Sequence, residues 1–136
     1  MSLNTHSMQD EADAQQAPLR ILVVEDDPDA LATTVDMLQT LGHWTAGVKS
    51  AEVARDRFIE GAFDVLMTDI GLPALSGFDL VEILQANHKL RVIFATGQIR
   101  PEDPMPGTVW LQKPFGLDDL SAALDGVVPV TAAPSD

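Results

Sequence analysis

Cysteine is absent from this chain of 136 residues, and basic residues are scarce. Without cysteine there can be no disulfide, thiolate metal site or cysteine nucleophile, and this composition fits an intracellular compartment. The 8 Lys and Arg residues stand against 21 Asp and Glu residues, giving a formal net charge of −13. Because nucleic-acid affinity depends on basic side chains that neutralise phosphates, we expect no direct contact with nucleic acid.

Long hydrophobic runs are also missing. No stretch approaches the roughly 20 uninterrupted apolar residues that a membrane helix requires. The first residues show neither the basic start nor the apolar run of a signal peptide. Since 46% of the residues are hydrophobic and 21% are charged, the composition is that of a globular chain. We therefore expect a cytoplasmic protein with one folded domain and no membrane partner.

The chain divides into three segments by composition. Residues 1–18 are polar, mostly acidic where charged, and without periodicity, which predicts a disordered acidic leader. Residues 19–127 contain all the periodic segments and are predicted to form the domain. Residues 128–136 are too few and too rich in Pro and Ala for another domain, and they are interpreted as a flexible tail or the start of a linker.

Short apolar runs alternate with helical patterns through the predicted domain. The predicted strands span residues 20–24, 43–48, 63–69, 91–96 and 108–113. The predicted helices span residues 27–42, 51–60, 78–88 and 117–127. A strand buried on both faces needs no polar alternation, so this pattern predicts a five-stranded parallel, doubly wound α/β sheet. Ligands of such folds bind at the carboxyl ends of the strands.

Polar side chains follow four of the five predicted strands, beginning with the stretch VVEDDPDA at residues 23–30. These residues at the strand ends are Glu25, Asp26, Asp27, Asp69, Thr96 and Lys113. Because the carboxyl ends of parallel strands lie at one edge, the side chains are expected to converge there. Clustered carboxylates repel one another unless a cation neutralises them. An all-oxygen site without His or Cys suits Mg²⁺.

A lysine and a threonine beside a divalent ion are suitable donors for phosphoryl transfer, which depends on positioning and charge neutralisation. A carboxylate can accept the phosphoryl group and form an acyl phosphate. Asp69 is the best candidate, because it ends the central strand between the acids and the Thr96 and Lys113 donors. In the stretch that follows, the carbonyl of Gly71 could face the metal, while Pro73 and Gly77 shape the turn.

Four motifs in this order, ILVVEDD, DVLMTDIGLPALSG, IFATG and KPF, resemble the receiver domain of two-component response regulators. The resemblance covers about residues 19–127 and implies a flavodoxin-like strand order 2-1-3-4-5. It implies that a sensor histidine kinase or a phosphotransfer protein donates a phosphoryl group to Asp69. The phosphorylated domain would then present a changed surface to a downstream protein. Such a domain phosphorylates and dephosphorylates itself and has no external product.

The resemblance also assigns roles to the residues at the strand ends. Mg²⁺ would be held by Asp26, Asp69 and the carbonyl of Gly71, with Glu25 acting mainly through water. The phosphoryl oxygens would be bound by Thr96 and Lys113, and the peptide bond from Lys113 to Pro114 would be cis. For Asp27, capping of the first helix is favoured over a metal role.

The segment between the fourth and fifth predicted strands departs from the family. Receiver domains usually carry a full helix here, but GQIRPEDPMPGT contains three prolines, each costing roughly 3 kcal/mol inside a helix. We therefore predict that this helix is missing or shortened, and that the protein is a monomer rather than a dimer through this face. With FATG, the segment resembles the FAT GUY subgroup, which often lacks an output domain and works with HWE or HisKA2 kinases.

Trp110 is the second departure, because it is similar in position to the Tyr or Phe whose rotation reports phosphorylation in the family. Its indole is larger and has a single donor nitrogen. We therefore expect the usual coupling between Thr96 and this aromatic residue to be altered. The hypothesis is a switch made by Thr96, Gly97 and Trp110, which acts by ordering the segment from Gly97 to Thr108.

Three other functions compete with this interpretation. A degenerate receiver that only binds proteins remains open as the alternative. A phosphatase of the haloacid dehalogenase type carries its nucleophile on the first strand in a D-x-D-x-T/V pattern, which EDDPD does not match. A flavin-binding module needs a hydroxyl-rich, glycine-containing phosphate loop where this chain has carboxylates. Neither His43 nor His88 is predicted to be catalytic.

Overall fold

The computed structural model describes residues 17–127, so nearly all of the predicted leader and the whole predicted tail lie outside the described residues. The strands are β1 (Arg20–Val24), β2 (Trp44–Val48), β3 (Val65–Thr68), β4 (Arg91–Thr96) and β5 (Thr108–Gln112). The helices are α1 (Pro28–Thr40), α2 (Ala51–Arg57), α3 (Gly77–Gln85) and α4 (Leu117–Val127).

The five strands form one parallel sheet in the order β2-β1-β3-β4-β5. This confirms the predicted doubly wound α/β fold with flavodoxin-like strand order. The chain reverses its direction of winding between β1 and β3, and β3 is the central strand. In its register Thr68 pairs with Val24 on one side and with Phe94 on the other, so β1 and β3 end at one level and β4 continues beyond it to Thr96.

Alternating side chains of the strands build two hydrophobic cores, one on each face of the sheet. On one face Leu66 and Phe94 pack with buried residues of α2 and α3. On the other face Met67 and Ile93 pack with buried residues of α1 and α4. Because both faces are covered, the strands are continuous apolar runs, as the sequence indicated.

The helix starts agree closely with the capping signals, whereas three helix ends were predicted too late, including that of α1, which ends at Thr40 rather than at residue 42. The side chain of Asp27 accepts a hydrogen bond from the backbone of Asp29, which confirms its capping role. Helix α2 ends at Arg57 rather than at residue 60, because Phe58 already adopts an extended backbone with ψ of 132°. Helix α3 ends at Gln85, so His88 lies beyond it rather than in its last turn.

Residues 97–107 connect β4 to β5 without a helix, which confirms that the usual helix is missing. Met105 packs against the same core as α2 and α3, and its carbonyl accepts a hydrogen bond of 2.6 Å from the Thr108 hydroxyl. Trp110 is half-buried against the same core. These two side chains therefore cover part of the sheet face beside β4 and β5.

Within residues 17–127, none of the helices combines the length and the apolar character needed to cross a membrane.

Candidate functional site

Three carboxylates meet at the carboxyl edge of the sheet. Glu25, Asp26 and Asp69 each offer an oxygen, and these oxygens all lie within 4.8 Å of one another. Backbone hydrogen bonds beyond the regular ladder create this proximity: Glu25 N–H donates to the Val48 carbonyl, and Asp69 N–H donates to the Val24 carbonyl, each at 3.1 Å. Glu25 is buried at 6% exposure, whereas Asp26 is exposed. The site is therefore acidic and partly open to water.

The carboxylate of Asp69 is held at both oxygens. Its Oδ1 accepts hydrogen bonds from the backbone N–H groups of Ile70 at 2.7 Å and Gly71 at 3.3 Å. Its Oδ2 accepts a hydrogen bond of 3.0 Å from Lys113 Nζ. The Thr68 hydroxyl also donates to the Asp69 carbonyl at 2.8 Å. These contacts orient the side chain toward the middle of the cluster.

The Lys113 ammonium joins two of the carboxylates. Its Nζ donates to Glu25 Oε1 at 2.5 Å as well as to Asp69 Oδ2. Burial by itself lowers the pKa of Lys113, but the hydrogen bonds and charges of Glu25 and Asp69 outweigh burial, so the pKa is raised. The backbone N–H of Lys113 donates to the Thr96 carbonyl at 2.8 Å, and the Lys113 to Pro114 peptide bond is cis, as expected.

Thr96 ends β4 and is almost fully buried, at 2% exposure. Its Oγ1 accepts a hydrogen bond of 3.3 Å from the backbone N–H of Gln98, and Gly97 between them is exposed. Trp110 lies on the adjacent strand, where it pairs with Phe94 in the register. The indole Nε1 donates to the Gln98 carbonyl at 2.9 Å. Thr96 and Trp110 are thus connected through the backbone of Gln98, which the sequence analysis did not identify in this role.

The loop after Asp69 is shaped by a close backbone approach at Gly77. A Cβ atom built at Gly77 would lie 2.0 Å from the Asp69 carbonyl oxygen, so only glycine fits. The Gly77 N–H also donates to the Ile70 carbonyl at 3.0 Å. Pro73 is exposed within the loop, followed by Ala74 with a positive φ of 63°. This packing fixes the turn directly behind Asp69.

Glu52 is a residue of the site region that the sequence analysis missed. Its Oε2 accepts a hydrogen bond of 2.9 Å from the backbone N–H of Leu75, which ties α2 to the loop after Asp69. A glutamate in the first turn of a helix is common because it suits the helix dipole. Only the distance between the two elements distinguishes this anchor from an ordinary surface glutamate.

The donor set suits a hard divalent cation. The clustered side chains supply only carboxylate oxygens, and no His or Cys belongs to the cluster among residues 17–127. Gly71 is exposed and its backbone reaches the cluster, as its N–H contact with Asp69 shows. Asp27 serves the helix cap instead, while its backbone N–H donates to Glu25 Oε2 at 3.2 Å. The residues present are therefore compatible with Mg²⁺.

The two described histidines contact other parts of the molecule. His43 Nδ1 accepts a hydrogen bond of 3.0 Å from the backbone N–H of Leu19. His88 contacts the carboxylate of Glu60 and packs its ring 4.5 Å from that of Phe58. His43 and His88 lie just before the amino ends of β2 and β4, whereas the acidic cluster lies at the carboxyl edge, so the two histidines are at the opposite edge of the sheet.

Comparison with known proteins gives a family match. The family model described as "Response regulator receiver domain" matches residues 21–125. The response regulator receiver protein CpdR of Brucella abortus is 32% identical over 107 residues, which cover 74% of this chain and 89% of that protein. A gliding motility regulatory protein of Myxococcus xanthus is 31% identical over 123 residues, covering 81% of this chain but 16% of that protein.

A solved structure of the response regulator TrrA from Thermotoga maritima, in complex with Mg²⁺-BeF, has 25% identity and a TM-score of 0.72. The match covers 81% of this chain and 99% of that chain. The acidic cluster of Glu25, Asp26 and Asp69 is typical of the receiver Mg²⁺ site. Since the family model spans most of the sequence, this chain belongs to the response regulator receiver domain family.

Proposed function

We propose that Asp69 accepts a phosphoryl group from the phosphohistidine of a sensor histidine kinase or phosphotransfer protein. Receiver domains take histidine kinases as partners. The observation that carries the proposal is the Lys113 ammonium, which lies within hydrogen-bonding distance of both Glu25 and Asp69 inside an acidic cluster. A carboxylate with a fixed orientation, beside a cation and oxygen ligands for a metal, is equipped to attack phosphorus.

In the proposed reaction an Asp69 oxygen forms a bond to phosphorus as the phosphorus–nitrogen bond of the phosphohistidine breaks. The leaving imidazole nitrogen keeps that electron pair and takes a proton. The Lys113 ammonium and the Thr96 hydroxyl donate hydrogen bonds to the phosphoryl oxygens. Asp26, Asp69 and the Gly71 carbonyl would hold Mg²⁺, with Glu25 acting through water, and the bound ion would neutralise charge on the phosphoryl oxygens.

The second half of the cycle is hydrolysis of the acyl phosphate. Water attacks phosphorus, and the Asp69 carboxylate leaves with the electrons of the phosphorus–oxygen bond. The protein thereby returns to its starting state and releases inorganic phosphate. Receiver domains are generally not true enzymes, and this cycle acts only on the protein's own side chain.

Phosphorylation is proposed to change a protein-interaction surface built on residues 97–107. Thr96 and Trp110 are joined to this segment through the hydrogen bonds of Gln98, and Gly97 lies between Thr96 and Gln98. Ile99 in the same segment is 80% exposed, so an apolar side chain is already available to a downstream protein. The switch would consist of a change in the order of this segment.

The missing helix and the sequence FATG also support assignment to the FAT GUY subgroup, and hence an HWE or HisKA2 type kinase as partner. We propose that the protein is a cytoplasmic monomer. Direct contact with nucleic acid is not expected, because the net charge of the chain is −13 and phosphates would repel it. This chain spans only 16% of the Myxococcus relative, so that relative's other activities are not assigned to it.

The proposal is tested by adding beryllofluoride or acetyl phosphate with Mg²⁺ and recording backbone NMR spectra, with Asp69→Asn as the control. Mg²⁺-dependent shifts at Asp69, Thr96 and residues 97–107, absent in the control, are expected. If the wild type binds Mg²⁺ but gives no response to either compound, the phosphoacceptor proposal fails. The protein would then be a degenerate receiver that binds proteins without phosphorylation.

A further inference from the structure

A groove runs along the amino edge of the sheet, opposite the edge that carries the acidic cluster. One part of it is a cavity of about 300 Å³ beside Arg20 and Trp44. The other part is a cavity of about 580 Å³ beside Lys89 and Arg91. Phe63 lines both cavities, so together they form one surface that extends from β2 to β4, here called the amino-edge groove.

The β2 end of the groove is apolar because α2 is short. Side chains alternate along a strand, so Trp44 and Val48 point to the same face of β2. Val48 packs with the core that includes α2, but α2 ends at Arg57, and Trp44 is left 70% exposed. Ala62 lines the same cavity. An exposed indole within an apolar concave surface is a mark of an interaction site.

Basic side chains are concentrated at this edge, although the formal net charge of the chain is −13. Of the 8 Lys and Arg residues, four lie here on the side of α2 and α3, namely Arg20, Arg57, Lys89 and Arg91. Nearby acids use only part of this positive charge, because Asp64 is paired with Arg20 at 2.9 Å and Glu60 contacts His88. Among residues 17–127, the other three cations of this edge form no salt bridge.

The acidic leader enters the described chain at this same edge. Residues 1–16 contain Asp10, Glu11 and Asp13 but neither Lys nor Arg, and they lead into β1. Strand β4 lies two strands away from β1 in the sheet, a distance of roughly 10 Å. Asp13 precedes Arg20 by seven residues, and an extended chain spans about 3.4 Å per residue. The leader carboxylates can therefore reach Arg91 at the start of β4.

We propose that the acidic leader of this chain occupies the amino-edge groove, with its backbone across Phe63 and its carboxylates beside Lys89 and Arg91. The opposite charges supply the attraction. Because the leader is tethered next to the groove, its effective concentration there is in the millimolar range, and weak contacts are sufficient. The contact requires no regular secondary structure in the leader.

The occupied groove is closed to acidic segments of other proteins. It lies at the edge of the sheet opposite Asp69, so this inference does not depend on the proposed phosphoacceptor function. The leader also covers apolar surface beside the edge strand β2, whose outer side has no partner strand among the described residues. Covering such an edge limits pairing with another chain.

The test is paramagnetic broadening of NMR signals in the full chain. Since the chain has no cysteine, Ala12→Cys carries a single nitroxide spin label within the leader. The amide signals of Phe63 and residues 88–91, in the groove, should be broadened most. Residues 41–43 and 125–127 lie at the same edge but on the face of α1 and α4. A leader that samples all directions would broaden the signals on both faces equally.

Charge removal identifies the contacts that hold the leader. Lys89→Gln combined with Arg91→Gln should reduce the broadening in the groove to the level of residues 41–43. Lys49→Gln combined with Arg100→Gln removes the same charge at exposed positions outside the groove and should change nothing.

Salt at about 1 M, where the Debye length is about 3 Å, should abolish the broadening as the Lys89 and Arg91 changes do. Equal broadening on both faces in the chain that carries only the label overturns the proposal, and this comparison needs no charge variant. Broadening in the groove that persists at high salt and without both cations overturns it as well.

Discussion

Lys113 and Glu25 are separated by 88 positions in the chain, yet Nζ of one donates to Oε1 of the other. The same ammonium also contacts Asp69 Oδ2 at 3.0 Å. The protein therefore carries an internal cation among the carboxylates that a metal ion would neutralise. An ammonium and a divalent ion compete for the same oxygens, and this competition leads to the first prediction.

Replacing Lys113 with methionine should tighten Mg²⁺ binding about tenfold, because the ion no longer displaces charge-assisted hydrogen bonds. The side chain keeps much of its length, so the surroundings are little disturbed. Mg²⁺ titration followed by the rise in Tm measures the change. Lys89→Met, at an exposed lysine just before β4, removes the same charge away from the cluster and serves as the control. Equal or weaker Mg²⁺ affinity for Lys113→Met would refute the competition.

Gly77→Ala should lower the free energy of unfolding by about 3 kcal/mol, because the new Cβ would lie 2.0 Å from the Asp69 carbonyl oxygen. Backbone on both sides of the contact would have to move. Urea unfolding measures the loss. Gly116→Ala is the matched control, since a Cβ there meets nothing within 4 Å and φ is not positive. A loss of similar size in both variants would contradict the steric explanation.

Glu52→Ala should lower the free energy of unfolding by about 1 kcal/mol, because the Leu75 N–H loses its acceptor. The amide protons of residues 71–76 should also exchange faster with solvent, since their tie to α2 is gone. Glu52→Gln keeps a side-chain oxygen and should recover much of the protection. Hydrogen exchange followed by NMR distinguishes the outcomes. If alanine and glutamine behave alike, the negative charge rather than the hydrogen bond is responsible.

His43 predicts a pH dependence of stability. Burial lowers its pKa below the ordinary value of 6.5, and its Nδ1 accepts a hydrogen bond from Leu19 N–H, which requires an unprotonated nitrogen. The unfolded chain therefore binds a proton more readily. This contribution to stability is complete above the unfolded pKa and is lost as the pH falls through the folded pKa.

The test is the free energy of unfolding at neutral and mildly acidic pH for the wild type and for His43→Gln. Carboxylates titrate in both proteins, so only the difference between them reports His43. The wild type should lose more stability than the variant between about pH 7 and pH 5. Parallel curves for the two proteins would show that His43 does not contribute to the pH dependence of stability.

The sequence was sufficient to predict which carboxylates meet at the carboxyl edge of the sheet, because the ends of parallel strands lie side by side once the strand order is known. Continuous apolar runs marked the strands; Thr96 ends one of them, and the acids and Lys113 come directly after the ends of the others. Helix starts were also readable, because caps such as Asp27 and Ser50 act within three residues of their own position. The three prolines of residues 97–107 correctly predicted the missing helix.

The contacts that could not be predicted join elements that are distant in the sequence. Glu52 contacts Leu75 across 23 positions, and Trp110 contacts the carbonyl of Gln98 rather than a side chain. Nothing in the sequence distinguishes a glutamate or tryptophan that makes such a contact from one that does not. Helix α2 was predicted to run to residue 60, next to Gly61 with its positive φ, but the chain had already become extended at Phe58.

The connection between β4 and β5 has an evolutionary consequence. Met105 packs residues 97–107 against a core cluster, whereas positions such as Ile99 and Arg100 are exposed and can change at little cost in stability. Substitutions at these positions can accumulate while the fold and the acidic cluster stay intact. Under the proposed function, the choice of downstream partner can therefore diversify through one short segment, without compensating mutations elsewhere in the domain.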